Sequence, residues 1–387
     1  MKRLIAATAI CATLVGGGVC ALRAETGEGG NAAERNVWTL SDGYLQKDGW
    51  KIKASWTSST KILRVENENI EGSGILDWDD LILKIGEEEI EDLGVQGGFQ
   101  GLATAAVTEF RCNKMQAMGT WGFRGNKTLE RVRAGGPRLT AIDSECFSGC
   151  PKLAAVKFDF PNLRKVCGTA FCDSTSLKAA AADILNSAVT NVEGMAFSNV
   201  AGLTGELVLT KIQALGDSAF KQTGLTKLYL AGPLESIPDA AFYNDTSAGI
   251  TNATFDLAEN ATVHEYAFRG GRGAPFERIR FLRKPFGASS MTNLLGYVKK
   301  LTDPKACQIR VSRWLWSMEE RQASGWWRPA TKEGGLSDAE LAAKPKGCLG
   351  YTEVKMSGWP INGAVRRAWI VHERSPHDKE GFCVLIR

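Results

Sequence analysis

Between about residues 94 and 283 the apolar positions recur on a period much longer than that of a strand or helix. Phe99, Phe123, Phe147, Phe171, Phe197, Phe220, Phe242 and Phe268 are separated by 24, 24, 24, 26, 23, 22 and 26 residues. Five residues before the Phe stands Met118, Ile142, Val166, Val192, Leu215, Ile237 or Val263, and directly before it a small residue: Gly98, Gly122, Cys146, Ala170, Ala196, Ala219, Ala241 or Ala267. A Leu follows five or six residues later in most copies (Leu129, Leu153, Leu177, Leu203, Leu225), and apolar residues then alternate, as at Leu228 and Leu230. That alternation predicts a short strand with one buried face. A unit of about 24 residues cannot enclose its own apolar side, so successive coils must stack, with the Phe filling the same interior slot in each. The small neighbour is needed where one backbone passes close to the ring of another coil.

The pattern aliphatic-x-x-x-small-Phe followed by Leu-x-x-aliphatic-x-aliphatic is clearest at Ile142, Cys146, Phe147, Leu153, Val156 and Phe158. It resembles the BspA-like leucine-rich repeat, over about half of the chain. The resemblance implies a mainly β fold, a leucine-rich-repeat solenoid of short parallel strands. It also implies a surface-exposed or secreted protein that binds host or microbial partners, and it brings no catalytic residues. Two coils depart from the pattern. Leu177 leads into the run Ala179 to Ala182, and Ile250 and Phe255 follow Phe242 at a stretched spacing, so a bulge or helical turn is expected there.

The flanks read differently. Residues 1–24 have a basic start and an apolar run ending in small residues, the pattern of a signal peptide. Residues 25–92 contain short alternating runs at Val37–Leu40, Trp50–Trp56, Lys61–Val65 and Leu81–Leu83, with turns at Asp42-Gly43 and Asp48-Gly49. They are expected to form a β-rich N-terminal cap over the strand edge that a solenoid leaves open. A carbohydrate-binding role for Trp38, Trp50 and Trp56 is the alternative. The repeats fill 93–287, and residues 288–387 are expected to be a small α/β C-terminal domain. Within it the pattern predicts a helix over 290–300, a strand over Gln308–Trp316, a helix opened by the capping box Ser337 to Glu340, and two hairpin strands at 364–371 and 381–387.

Composition narrows the function. A net charge of +4 on 387 residues does not support nucleic acid as a partner. Beyond the leader no stretch approaches the length of a transmembrane helix. Eight cysteines lie outside the leader without paired Cys-x-x-Cys spacing, and neither metal nor cofactor is expected. Four Asn-x-Thr sequons, at Asn126, Asn244, Asn252 and Asn260, read as chance products of turn sequences.

Outward positions of the predicted strands form two columns, Arg131, Ala155, Ala179, Glu206, Lys227, Arg278 and Arg133, Lys157, Ala181, Val208, Tyr229, Arg280. Arg131, Arg133, Lys157, Glu206, Lys227, Tyr229, Arg278 and Arg280 are therefore a candidate binding face. Trp314, Trp316, Trp326 and Trp327 are a candidate aromatic patch for a sugar or a partner. His372 and Cys383 could form a nucleophile pair, but no peptidase motif surrounds them and Cys383 sits in an apolar run. The sequence thus points to a secreted or cell-surface protein that binds a protein or glycan without catalysis. A structural envelope component, or a hydrolase in the C-terminal domain, is the alternative.

Overall fold

Phe123, Phe147, Phe171, Phe197, Phe220 and Phe242 each donate the backbone N–H to the carbonyl of the small residue before the next Phe, from Cys146 to Ala267, at 2.7–2.8 Å throughout. The rings consequently stack. From Phe99 to Phe268 each ring centroid lies 5.1–5.5 Å from the next, with interplanar angles of 1–15°. Phe99 to Phe242 are buried and Phe268 is partly buried. The small neighbour is explained by contact: a Cβ on Gly122 would sit 3.2 Å from Cys146 Sγ.

The computed structural model describes residues 35–99, 105–245, 249–270, 276–295, 301–304, 306–312, 315–355 and 365–376. The leader expected over residues 1–24 lies outside them. Asn36–Arg387 form one unit and Met1–Arg35 another.

Within Asn36–Arg387 each coil supplies a longer strand, a short strand and a turn carrying the Phe. The longer strands Ser73–Asp77, Ala106–Cys112, Arg131–Gly135 and Ala155–Asp159 pair in parallel as one sheet. A second sheet runs through Ala179–Ala180, Leu203–Leu209, Gly224–Ala231, Asn252–Asp256 and Arg278–Phe281. The interruption falls on the alanine run. Ala180 turns its N–H to Asp183 Oδ2 at 3.2 Å, and Ala181–Asp183 form a 3₁₀ turn in place of a continued strand. The short strands Ala141–Ile142, Lys165–Val166, Asn191–Val192 and Ala214–Leu215 make a further parallel ladder, as do Ser236–Ile237 and Thr262–Val263.

The N-terminal strands extend this architecture by direct pairing. Ile62–Glu71 pairs in parallel with Gly94–Gly97, which pairs with Met115–Met118. On its other side Ile62–Glu71 continues antiparallel through Trp50–Thr57, Tyr44–Lys47 and Val37–Ser41. Asp42-Gly43 and Asp48-Gly49 make the two hairpins with all four φ values positive, 53°, 76°, 47° and 84°, as a type I′ turn requires. Trp38 and Trp78 extend the aromatic stack, with Trp78 6.1 Å from Phe99 and 5.9 Å from Trp38. Trp38 and Trp50 are buried core, so they offer no sugar platform.

At the other end helix α1 (Ala288–Leu294) takes the place of a further short strand. Ser290 Oγ accepts from Val263 N–H at 3.1 Å, and Asn293 Nδ2 donates to Val263 O at 2.7 Å. Two side chains thereby satisfy a strand edge. The second long-strand sheet continues through Gln308–Val311, Val365–His372, Cys348–Lys355 and Trp327–Arg328. Helices α2 (Met318–Ala323) and α3 (Asp338–Ala342) both open on capping boxes, Ser317 with Glu320 and Ser337 with Glu340.

Three sequence expectations are corrected here. The strand starting at Gln308 ends at Val311, because Ser317 opens α2. The antiparallel partner of Val365–His372 is Cys348–Lys355, which precedes it, and residues 381–387 lie outside the described part. Ala179 and Ala181, placed on the outer columns by spacing, are buried. Ala179 pairs with Leu203, and a register shift between Gly205 and Glu206 displaces the outward positions of the next strand.

Candidate functional site

The two long-strand sheets present one outward face per coil, and parallel register sets which side chains become neighbours. Arg131 lies beside Glu109 and Ala155, and Arg133 beside Arg111 and Lys157. Further along, Glu206, Lys227, Asn252, Arg278 and Gln308 form one row, and Val208, Tyr229, Thr254, Arg280 and Arg310 the other. Asn252 and Thr254 were missed in the columns because the stretched coil hid the strand. Arg131, Arg133, Lys157, Glu206, Lys227 and Arg278 are exposed, and Tyr229 and Arg280 are partly exposed.

The two halves of this face differ in electrostatics. In the first, Glu109 accepts from Arg111 Nε at 2.5 Å and from Arg131 Nε at 2.9 Å, and Arg111 also reaches Asp77 at 3.1 Å. Arg133 pairs with Asp79. The Arg111 hydrogen bond is the largest of the effects that hold the Glu109 carboxyl below its ordinary range, against the opposing effect of burial. Arg280 and Arg310 share Glu373, at 3.2 and 3.1 Å. Between these networks, Lys227 and Arg278 have no carboxylate within 4.0 Å among the described residues. Lys227 stands two residues before Tyr229 on the same strand, Val208 beside Tyr229 is 37% exposed, and Arg278 lies two strands further along, beyond Asn252. An exposed apolar residue beside a partly exposed aromatic ring and a cation is suited to contact with another protein.

The aromatic patch is not formed. Trp316 and Trp326 stack on each other with centroids 5.0 Å apart and are buried, as is Trp327, whose Nε1 donates to Leu349 O at 3.1 Å. Their rings fill the interior between α1, α2 and the strand ends. Trp314 lies outside the described residues, as does Cys383, so the pair with His372 has no described geometry.

The described cysteines do not offer a nucleophile at neutral pH. Burial pushes the Cys112 thiol up to about 12 and Cys150 to about 11, and Cys150 Sγ donates to Phe123 O at 3.0 Å. Asn126 and Asn244 are buried inside their turns, which closes those sequons to modification in the folded chain.

The turns carry a regularity that spacing did not disclose. Two residues before the Phe, Trp121, Glu145, Thr169, Met195, Ser218 and Ala240 have φ of 64°, 55°, 53°, 56°, 56° and 51°. In the first five of these the N–H donates to the next coil. The left-handed conformation, costly for L-residues, thus comes with the stacking of the turns. The only signal for it was the fixed offset from the Phe, since all six positions lack the Gly or Asn that marks such a conformation.

The BspA type leucine rich repeat region matches this chain in six copies, over residues 103–183 and 140–272. Among solved structures, the chain is similar to a leucine rich repeat protein of T. pallidum, at 18% identity over 59% of this chain and 82% of that one, with a TM-score of 0.30. A leucine-rich repeat protein of Bacteroides ovatus is 13% identical over 61% and 70%, with a TM-score of 0.29. A leucine rich cell surface protein of Faecalibacterium prausnitzii is 12% identical over 72% and 97%, with a TM-score of 0.25. No curated protein matches the chain.

Proposed function

With residues 103–272 a BspA-type leucine-rich repeat region, we propose that this protein acts at a bacterial cell surface or outside the cell by holding a protein partner, without catalysis. The repeat region itself points to a protein-interaction role. The observation that supports a particular surface is the group of Lys227, Tyr229 and Val208, with Arg278 two strands further along, lying between the Glu109–Arg131 pair of the other sheet and the cluster of Arg280 and Arg310 on Glu373. Fixed strands hold the backbone of these residues in place, so the ordering cost on binding is confined to side chains. A partner with a carboxylate-bearing, partly apolar surface fits them. Export through the leader at residues 1–24 belongs to the same proposal, and no helix among the described residues is long and apolar enough to cross a membrane.

The test is an array of purified bacterial-surface and extracellular proteins probed with the full chain and with a Tyr229→Ala, Lys227→Glu variant. A discrete partner is expected, with affinity for the variant down by at least about tenfold at unchanged thermal stability, since aromatic anchors commonly contribute that much. Bulk association with the cell envelope and no discrete ligand would favour a structural role. Equal binding by the variant would move the partner to another face.

A further inference from the structure

The edge formed by the phenylalanine turns carries a second arrangement, independent of the sheet face. The turns at Phe220, Phe242 and Phe268 are held in series by Phe220 N–H to Ala241 O at 2.8 Å and Phe242 N–H to Ala267 O at 2.7 Å. Gln222 N–H to Tyr243 O at 2.7 Å and Asn244 N–H to Arg269 O at 2.9 Å lock the residues after each ring. These bonds bring Lys221, Tyr243, Tyr266 and Arg269 around a recess of about 250 Å³. Its wall includes Ala240, which occupies the left-handed position filled by Trp121 and Met195 in other coils.

The charges in it are unequally engaged. Lys221 Nζ stands 5.6 Å from the Tyr243 ring centroid, and Arg269 Cζ 5.0 Å from that of Tyr266. Neither cation has a carboxylate within 4.0 Å among the described residues. The two aspartates differ: the Tyr243 hydroxyl donates to Asp245 Oδ2 at 3.2 Å, whereas Asp239 Oδ1, 2.9 Å from His264 Nδ1, accepts no hydrogen bond among the described residues. A ligand entering the recess therefore meets two cations that face aromatic rings and have no carboxylate within 4.0 Å among the described residues, the rings themselves, and carboxylate oxygens that can accept hydroxyl donors.

We propose that this recess binds an acidic sugar, its carboxylate meeting Lys221 and Arg269 and its ring meeting Tyr243 and Tyr266. The rings favour a cyclic ligand with C–H faces over a bare anion. Two aspartates close by oppose a dianion, so one carboxylate fits better than a phosphate ester. The volume lies below the roughly 300–1,000 Å³ of pockets that enclose drug-sized ligands, which suits one ring.

The experiment titrates the full chain with methyl galacturonide and with the methyl glycoside of N-acetylneuraminic acid, using methyl galactoside as the neutral control, by calorimetry and saturation-transfer NMR. At least one acidic sugar should bind saturably, and the neutral sugar about tenfold more weakly or worse, the scale of a lost charge-assisted hydrogen bond. Lys221→Gln and Arg269→Gln should each weaken binding by a similar factor. Ala240→Met should abolish it without loss of thermal stability, since Met195 holds the same backbone conformation in its own coil. Lys152→Gln, exposed on a distant coil, should change nothing. The proposal is overturned if neither acidic sugar saturates, if the neutral sugar binds equally, if binding survives Ala240→Met, or if inorganic sulfate competes as well as the sugars do.

Discussion

Phe197 lies 5.1 Å from Phe171 and 5.2 Å from Phe220, at interplanar angles of 7° and 6°, and is fully buried. Offset parallel stacking of this kind adds to the burial energy of each ring. Removing one ring would leave a void whose walls are two further rings and the backbones of adjacent coils, which cannot close over it. Phe197→Ala should therefore lower stability by about 3–5 kcal/mol, measured by urea unfolding. A loss under about 1 kcal/mol would show that the stack is not the core. The residue scale was well legible: ring, small neighbour and aliphatic partner were all readable from spacing. The positive φ two residues before each ring was not, because Glu, Thr, Met and Ala carry no local mark of it.

Among elements, the first long-strand sheet is tied across three strands by two carboxylates and two arginines. Glu109 accepts from Arg111 on its own strand and from Arg131 on the next, while Arg111 reaches Asp77 on the preceding one. Chiefly because of the Arg111 hydrogen bond, the folded Glu109 titrates below its ordinary 4.5. A carboxyl with a depressed folded pKa adds stability that is fully present above its unfolded pKa and is lost as pH falls through the folded value. Part of the acid sensitivity between about pH 4.5 and the lower folded value should therefore disappear in Glu109→Gln. The same variant should be less stable at pH 7 by about 1.5–3 kcal/mol, the range for hydrogen bonds to a charged group. Denaturant titrations at pH 3, 4, 5 and 7 check both expectations; parallel pH profiles for the two proteins would refute the linkage. Elements with strong local signals were read correctly, including the two Asp-Gly turns and α3, though the strand Tyr44–Lys47 that joins those turns into hairpins was not. Helix α2 has the same Ser-x-x-Glu box as α3 but was passed over beside a tryptophan-rich run read as strand. Cys348–Lys355 was hidden by Gly350, at φ 147°, where the register shifts.

For the molecule as a whole, the decisive feature is that sheets run without a break through the places where composition changes. Ile62–Glu71 pairs with Gly94–Gly97 across residue 92, and Arg278–Phe281 pairs with Gln308–Val311 across residue 287. Truncation after residue 287 would open the edge of Arg278–Phe281 and remove α1 from Val263. Such a chain should aggregate or melt at markedly lower temperature, as light scattering and calorimetry would register; a monomer of unchanged stability would mean that residues 288–387 fold apart from the repeats.

By itself the sequence determined the coil length, the interior of each coil and the outward identity of Arg131, Lys227, Tyr229 and Arg278, because strand alternation and a fixed repeat decide locally which side chains face in. Only the tertiary structure decided which outward charges neutralise one another, which tryptophans are buried, and that three turns close a recess around Ala240. Most of those outcomes depend on residues brought together from separate coils, and one shifted register or one helical turn changes the neighbours on the sheet face.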